Sequence, residues 1–165
     1  MLAARHALLS AVAAILCGCA HNIPDSPRAS TFLGIPVLGD RSLLASLERA
    51  YAILPEEDQR YVFDNGPGRI ELVDHGSGVL HTAPPVLRLA PHTIYFSRTS
   101  LAGTLVHEAC HIAYAAEGLT ALDEERACLA RQLQTAEKIR APERETARIT
   151  CEDGSHIEVP PQAQY

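Results

Sequence analysis

The residues of this chain best equipped for chemistry are His107-Glu108-Ala109-Cys110-His111, a His-Glu-x-x-His pattern. Histidines four apart on a helix lie about 40° apart around its axis, so both rings leave one face. Two imidazoles so placed can grip one zinc ion. Glu108, about 100° round from His107, can touch a water on the metal without being a ligand. It can then take the water's proton as the metal lowers the pKa. Chance yields the pattern in roughly one sequence in thirty of this composition.

The flanking residues predict a helix over Thr99–Ala116. Ser97, Thr99 and Ser100 are candidate N-caps and Gly118 a candidate residue just past the C-terminus. Leu101, Leu105, Ala109, Ile112 and Ala116 make one apolar stripe, which Val106, Cys110 and Ala113 extend round the back. A helix buried on most sides with one patch of His, His and Glu needs something to pair those groups.

A catalytic zinc needs a third protein ligand and an open position. Glu117, Asp123, Glu124 and Glu125 follow the motif. Glu117 shares the motif helix but points away from the histidine face. The others open a second helix, Leu122–Ile139. On it Leu122, Leu129, Leu133, Ala136 and Ile139 form one face, with Glu125 on its edge and Glu124 nearly opposite. Periodicity therefore favours Glu125, while Glu124 stays open. Ala127, Cys128 and Ala130 are small enough for close helix contact.

The remaining chain must position this pair of helices. Helices are expected over Arg41–Leu54, capped by Asp40, and over Pro55–Asp64. Ile70–Val73, Val86–Leu89 and Thr93–Ser97 read as strands, the last offering a free edge to an extended peptide. His75–Pro85 reads as a loop, and Arg148–Cys151 with His156–Val159 as a hairpin. For oxyanion stabilisation, Tyr114, His92, His75, His81 and His156 are candidates, none of them assigned.

The N-terminus has a basic start at Arg5 and an apolar run from Ala7 to Leu16, too short to span a bilayer. It closes on Leu16-Cys17-Gly18-Cys19, which resembles a bacterial lipobox with Cys19 as the lipidated residue. The expected organisation is a lipoprotein signal peptide at 1–18, a tether at 19–31 and one domain at 32–165. The resemblance implies a cell-envelope protein held to the membrane through Cys19. Ala20, rather than Asp, then favours the outer membrane, facing the periplasm. A net charge of −6 and no basic run argue against nucleic acid as a partner. In an oxidising compartment Cys110 and Cys128, on the two helices that meet at the metal, are the favoured disulfide; Cys151 stays open as a partner.

Across Thr93–Ile139 the chain resembles a small zinc metallopeptidase of the gluzincin kind, with His-Glu-x-x-His on one helix and a Glu on the next. The resemblance implies an α+β, zincin-like domain. Its short mixed or antiparallel sheet packs on a central motif helix, with several further helices. It implies one zinc held by His107, His111 and Glu125 (or Glu124), Glu108 as general base, and a peptide or protein substrate. Glu125-Arg126-Ala127-Cys128 resembles the second motif of compact members. The Asn or Asp often found four after the Glu is replaced by Cys128 or Leu129, and no third His follows as in metzincins. The rival expectation is a non-catalytic zinc-binding envelope lipoprotein or an interaction module with a vestigial site.

Overall fold

The computed structural model describes residues 30–152. The expected signal peptide and Cys19 lie outside them, as does His156–Val159. The described residues form a mixed α+β fold of six helices and a five-stranded sheet. No described helix is long and apolar enough to cross a membrane.

The sheet begins with a hairpin, β1 (Ser30–Phe32) and β2 (Ile35–Leu38). Its two-residue turn, Leu33-Gly34, has both φ values positive, 54° and 82°. Such a turn follows the twist of paired strands, and Gly34 takes its second position without strain. Leu33 is partly buried against the core, which offsets the strain of its left-handed backbone. β1 takes in Ser30 and Thr31, the last residues of the stretch read as tether.

After β2 come α1 (Arg41–Tyr51) and α2 (Glu56–Asp64), then β3 (Arg69–Leu72), β4 (Gly78–Leu80) and β5 (Val86–Leu89). The strand order is β1-β2-β3-β5-β4. β2, β3 and β5 run parallel, and the two outer strands are antiparallel to their neighbours. Parallel pairing demands a crossover, and α1 with α2 supplies it between β2 and β3. Asp40 caps α1 as expected, accepting from Leu43 N–H at 2.9 Å.

Two expected strands are helices. Thr93–Ser97 falls in α3 (Pro91–Phe96) and the capping residue after it. Pro91 sets the first helical φ, and only Ile94 of the helix is buried, one turn after buried Ala90. Tyr95 and Phe96, whose aromatic character suggested a strand, are exposed. The sheet edge near the motif helix is instead β4, in the stretch read as loop. Arg148–Cys151 belongs to α6 (Glu143–Cys151). There Glu145 and Ile149 share the buried face. Thr150 satisfies its hydroxyl on the Thr146 carbonyl at 2.9 Å, as β-branched threonines can within a helix.

The motif lies on α4 (Arg98–Tyr114), and the second helix is α5 (Ala121–Lys138). α4 is the centre of the fold. Leu101, Ala102, Leu105, Val106 and Ala109 are buried in one core with Leu43 and Leu47 of α1 and with Ile70, Leu87 and Leu89 of the sheet. A smaller core joins Leu129 and Ala136 of α5 to Ile149 of α6.

α4 and α5 are joined by the Cys110–Cys128 disulfide, Cα atoms 5.4 Å apart, while Cys151 is free and exposed. Closing a loop of this span restricts the unfolded chain by about 3 kcal/mol. The double variant Cys110→Ala/Cys128→Ala should lose that much in urea unfolding. A loss below about 1 kcal/mol would mean that helix packing alone fixes the pair.

Candidate metal centre

Ser97 interrupts the chain between α3 and α4 with an extended backbone, and its hydroxyl accepts from Ser100 N–H at 2.8 Å. It is one of the three expected caps. From there α4 carries Ser100, Thr104, His107 and Glu108 toward a cleft, with apolar residues toward the core. α5 starts at a reciprocal cap. Thr120 Oγ1 accepts from Asp123 N–H at 3.1 Å and donates to Asp123 Oδ2 at 2.7 Å. Asp123 is thereby used as a cap partner, and Glu117 is exposed.

Glu125, Cys128, Leu129, Gln132, Thr135 and Ala136 form the buried side of α5. Glu125 therefore lies within that side rather than on its edge. Its Oε2 is 3.1 Å from His111 Nε2 and 3.7 Å from His107 Nε2, and the two Nε2 atoms are 3.1 Å apart. His107, His111 and Glu125 make a largely buried group that could hold a metal ion. Tetrahedral coordination at about 2.0–2.1 Å spaces ligand atoms about 3.3 Å apart. The three edges bracket that spacing. The donor set of two imidazoles and one carboxylate suits a divalent transition metal, zinc among them.

Glu124, placed opposite the apolar face by periodicity, is half-buried and hydrogen-bonded to His111 Nδ1 at 2.6 Å. The two neighbouring acids thus reach the same imidazole at different nitrogens. A carboxylate on the far nitrogen fixes ring orientation and tautomer, and leaves Nε2 as the donor to a metal. Consecutive acids both proved useful because the α5 N-terminus abuts the last turn of α4, a tertiary fact that helical phase does not carry.

Glu108 is 7 % exposed. Burial lifts its carboxyl to about 7; the charge of His111 pulls it down and that of Glu125 pushes it up. Burial works against protonation of His111, but hydrogen bonds from its ring to Glu125 and Glu124, with the nearby charge of Glu108, lift it to about 9.

The cleft has a volume of about 660 Å³ and is lined by His107, Glu108 and Glu125 together with residues of α3, α5 and α6. Of the expected oxyanion candidates among the described residues, His92 lines it; Tyr114, His75 and His81 do not. Phe96, Gln132, Arg148 and Glu152 also line the cleft and were not singled out from sequence. The two last follow from α6, which the sequence reading had taken as strand.

Comparison with protein-family models, with curated proteins and with solved structures gives no match to this chain.

Two predictions follow from this geometry. After a brief chelator wash, Glu125→Ala should retain no zinc, while Glu124→Ala should bind it about 10–100-fold more weakly; metal analysis and zinc titration read both. Equal retention by all three proteins would remove Glu125 from the site. The second concerns pH. Glu108 and His111 both hold protons more tightly when folded than their ordinary 4.5 and 6.5. Their protons favour the metal-free fold fully below those ordinary values, and the benefit is lost as pH rises through about 7 and about 9. The chelated protein should lose melting temperature from pH 5 to 9. Metal competes with those protons, so its stabilisation should widen over the same range. Parallel curves with and without zinc would contradict this.

Proposed function

We propose that this protein is a zinc-dependent peptidase of the gluzincin kind, anchored to the cell envelope through a lipid on Cys19. The observation that carries the reading is the joining of two features at one place: a His107, His111, Glu125 triangle of metal-ligand dimensions, and Glu108 beside it on the wall of an open cleft. The short mixed sheet packed on the motif helix agrees with a compact zincin-like domain. The lipid anchor rests on the Leu16-Cys17-Gly18-Cys19 sequence.

His107, His111 and Glu125 would hold the metal, and Glu124 keeps the His111 ring turned to it. Zinc, when bound, supplies a Lewis acid that polarises the scissile carbonyl and makes water a better acid. Glu108 moves the proton. Its carboxylate takes one from the attacking water and delivers it to the nitrogen of the departing amine. Burial, which lifts the Glu108 carboxyl toward neutrality, suits a group that must both accept and release a proton near pH 7. The cleft, about 660 Å³ and partly open to solvent, leaves room for an extended or unfolded polypeptide.

Glu108→Gln keeps shape and removes the base. Hydrolysis of β-casein by the full zinc-loaded chain should fall about 10²–10⁴-fold, with zinc content unchanged. Retained hydrolysis by this variant would remove Glu108 as the base. No hydrolysis by the unmodified chain, with one zinc bound, would remove the peptidase reading.

A further inference from the structure

Gln132 is 94 % buried, leaving 6 % exposed, and lines the cleft from α5. Among the described residues its carboxamide makes no hydrogen bond, whereas Thr135, less than one turn on, donates to Asp58 at 3.1 Å. Its polar atoms are not among those sealed from solvent without a partner, and the side chain lines the cleft. A side chain buried along its stem, whose carboxamide has no protein partner and meets the cleft, is placed to hydrogen-bond a ligand there.

The neighbours are of the same kind. Ser100 and Thr104 are buried and line the cleft one turn apart on α4. Thr104 Oγ1 donates to the Ser100 carbonyl at 3.1 Å, which leaves its lone pairs toward the cleft. Between them, Gly103 presents bare backbone to Gln132: a Cβ there would stand 3.3 Å from Gln132 Cγ. The close approach of the helices at this point seats the Gln132 stem and leaves its end in the cleft wall. Seven residues of α4 separate Ser100 from His107, about 10 Å of helix, or about three residues of extended chain.

We propose that Gln132, with Ser100 and Thr104, forms a subsite for the backbone of an extended peptide, within three residues of the bond cut. A carboxamide offers one donor and one acceptor side by side, matching the C=O and N–H of a peptide. The subsite reads main chain rather than side chain, so it sets the register of many sequences without choosing among them. This inference rests on the peptidase reading.

The test uses the full zinc-loaded chain, β-casein, and a casein-derived peptide spanning one cleavage site, with analogues in which each amide in turn is replaced by an ester. Gln132→Leu should raise KM about tenfold and leave kcat within about twofold. Zinc content should not change, and melting temperature should hold, because no hydrogen bond within the protein is lost. One ester should cost the unmodified protein a similar factor and cost the variant nothing. Should Gln132→Leu not fold, Gln132→Asn shortens the reach and must raise KM as well. An unchanged KM, or an ester effect that persists in the variant, overturns the subsite while leaving the peptidase reading intact. No cleavage of casein by the unmodified chain overturns both.

Discussion

The contact of α4 with α5 is the constraint on which the rest depends. The His107, His111, Glu125 group that could hold a metal ion takes two corners from one helix and the third from the other, so an error of about 1 Å between them would open it. Several separate devices fix that distance. Gly103 lets the α5 side chain of Gln132 lie on bare backbone. Cys110 and Cys128 tie the helices covalently, directly beside His111 and one turn beyond Glu125. Asp58 of α2, almost wholly buried, accepts from Thr135 and lies 3.6 and 3.7 Å from Arg131 and Lys138, anchoring the far half of α5. At the start of α4, Thr99 donates to the buried Glu145 of α6 at 2.7 Å. Apart from the packing at Gly103, each device is polar or covalent, because α4 spends its apolar side chains on the sheet and α1.

This division explains what the sequence could and could not tell. The motif was legible because it is local: one helix period places His107, Glu108 and His111 without knowledge of the fold. The apolar stripe of α4 was legible for the same reason, as was the cap at Ser97. The choice of Glu125 as third ligand agrees with its place on the buried side of α5, but its reason was incomplete. The buried side follows Cys128, Gln132 and Thr135 as much as the leucines. Small and polar residues pack against α4 there, and a hydrophobic period undercounts them. Glu124, off that side, still reaches His111 because the α5 N-terminus abuts the last turn of α4. α3 and α6 were misread because aromatic and β-branched residues were weighed above Pro91 and Pro142, both of which mark helix starts. β4 is three residues long, too short for any alternation to register.

Charge gives the last step. Glu108, Glu124 and Glu125 crowd around two histidines where solvent reaches little, and three carboxylates need positive charge to stay there. His111 supplies some by holding a proton well above its ordinary range, and the raised Glu108 carboxyl lowers the negative charge further by taking up a proton toward neutral pH. Both protons sit where a cation would otherwise act: one on a ligand ring, one on the carboxylate next to it. A divalent ion can displace the first and, by its field, free the second, so ionised Glu108 becomes the favoured state once the triangle is filled. The same burial that makes the metal-free site hold protons would, on the proposed function, leave Glu108 as a base when metal is bound. The fold need only keep α4 and α5 close for the two states to exchange.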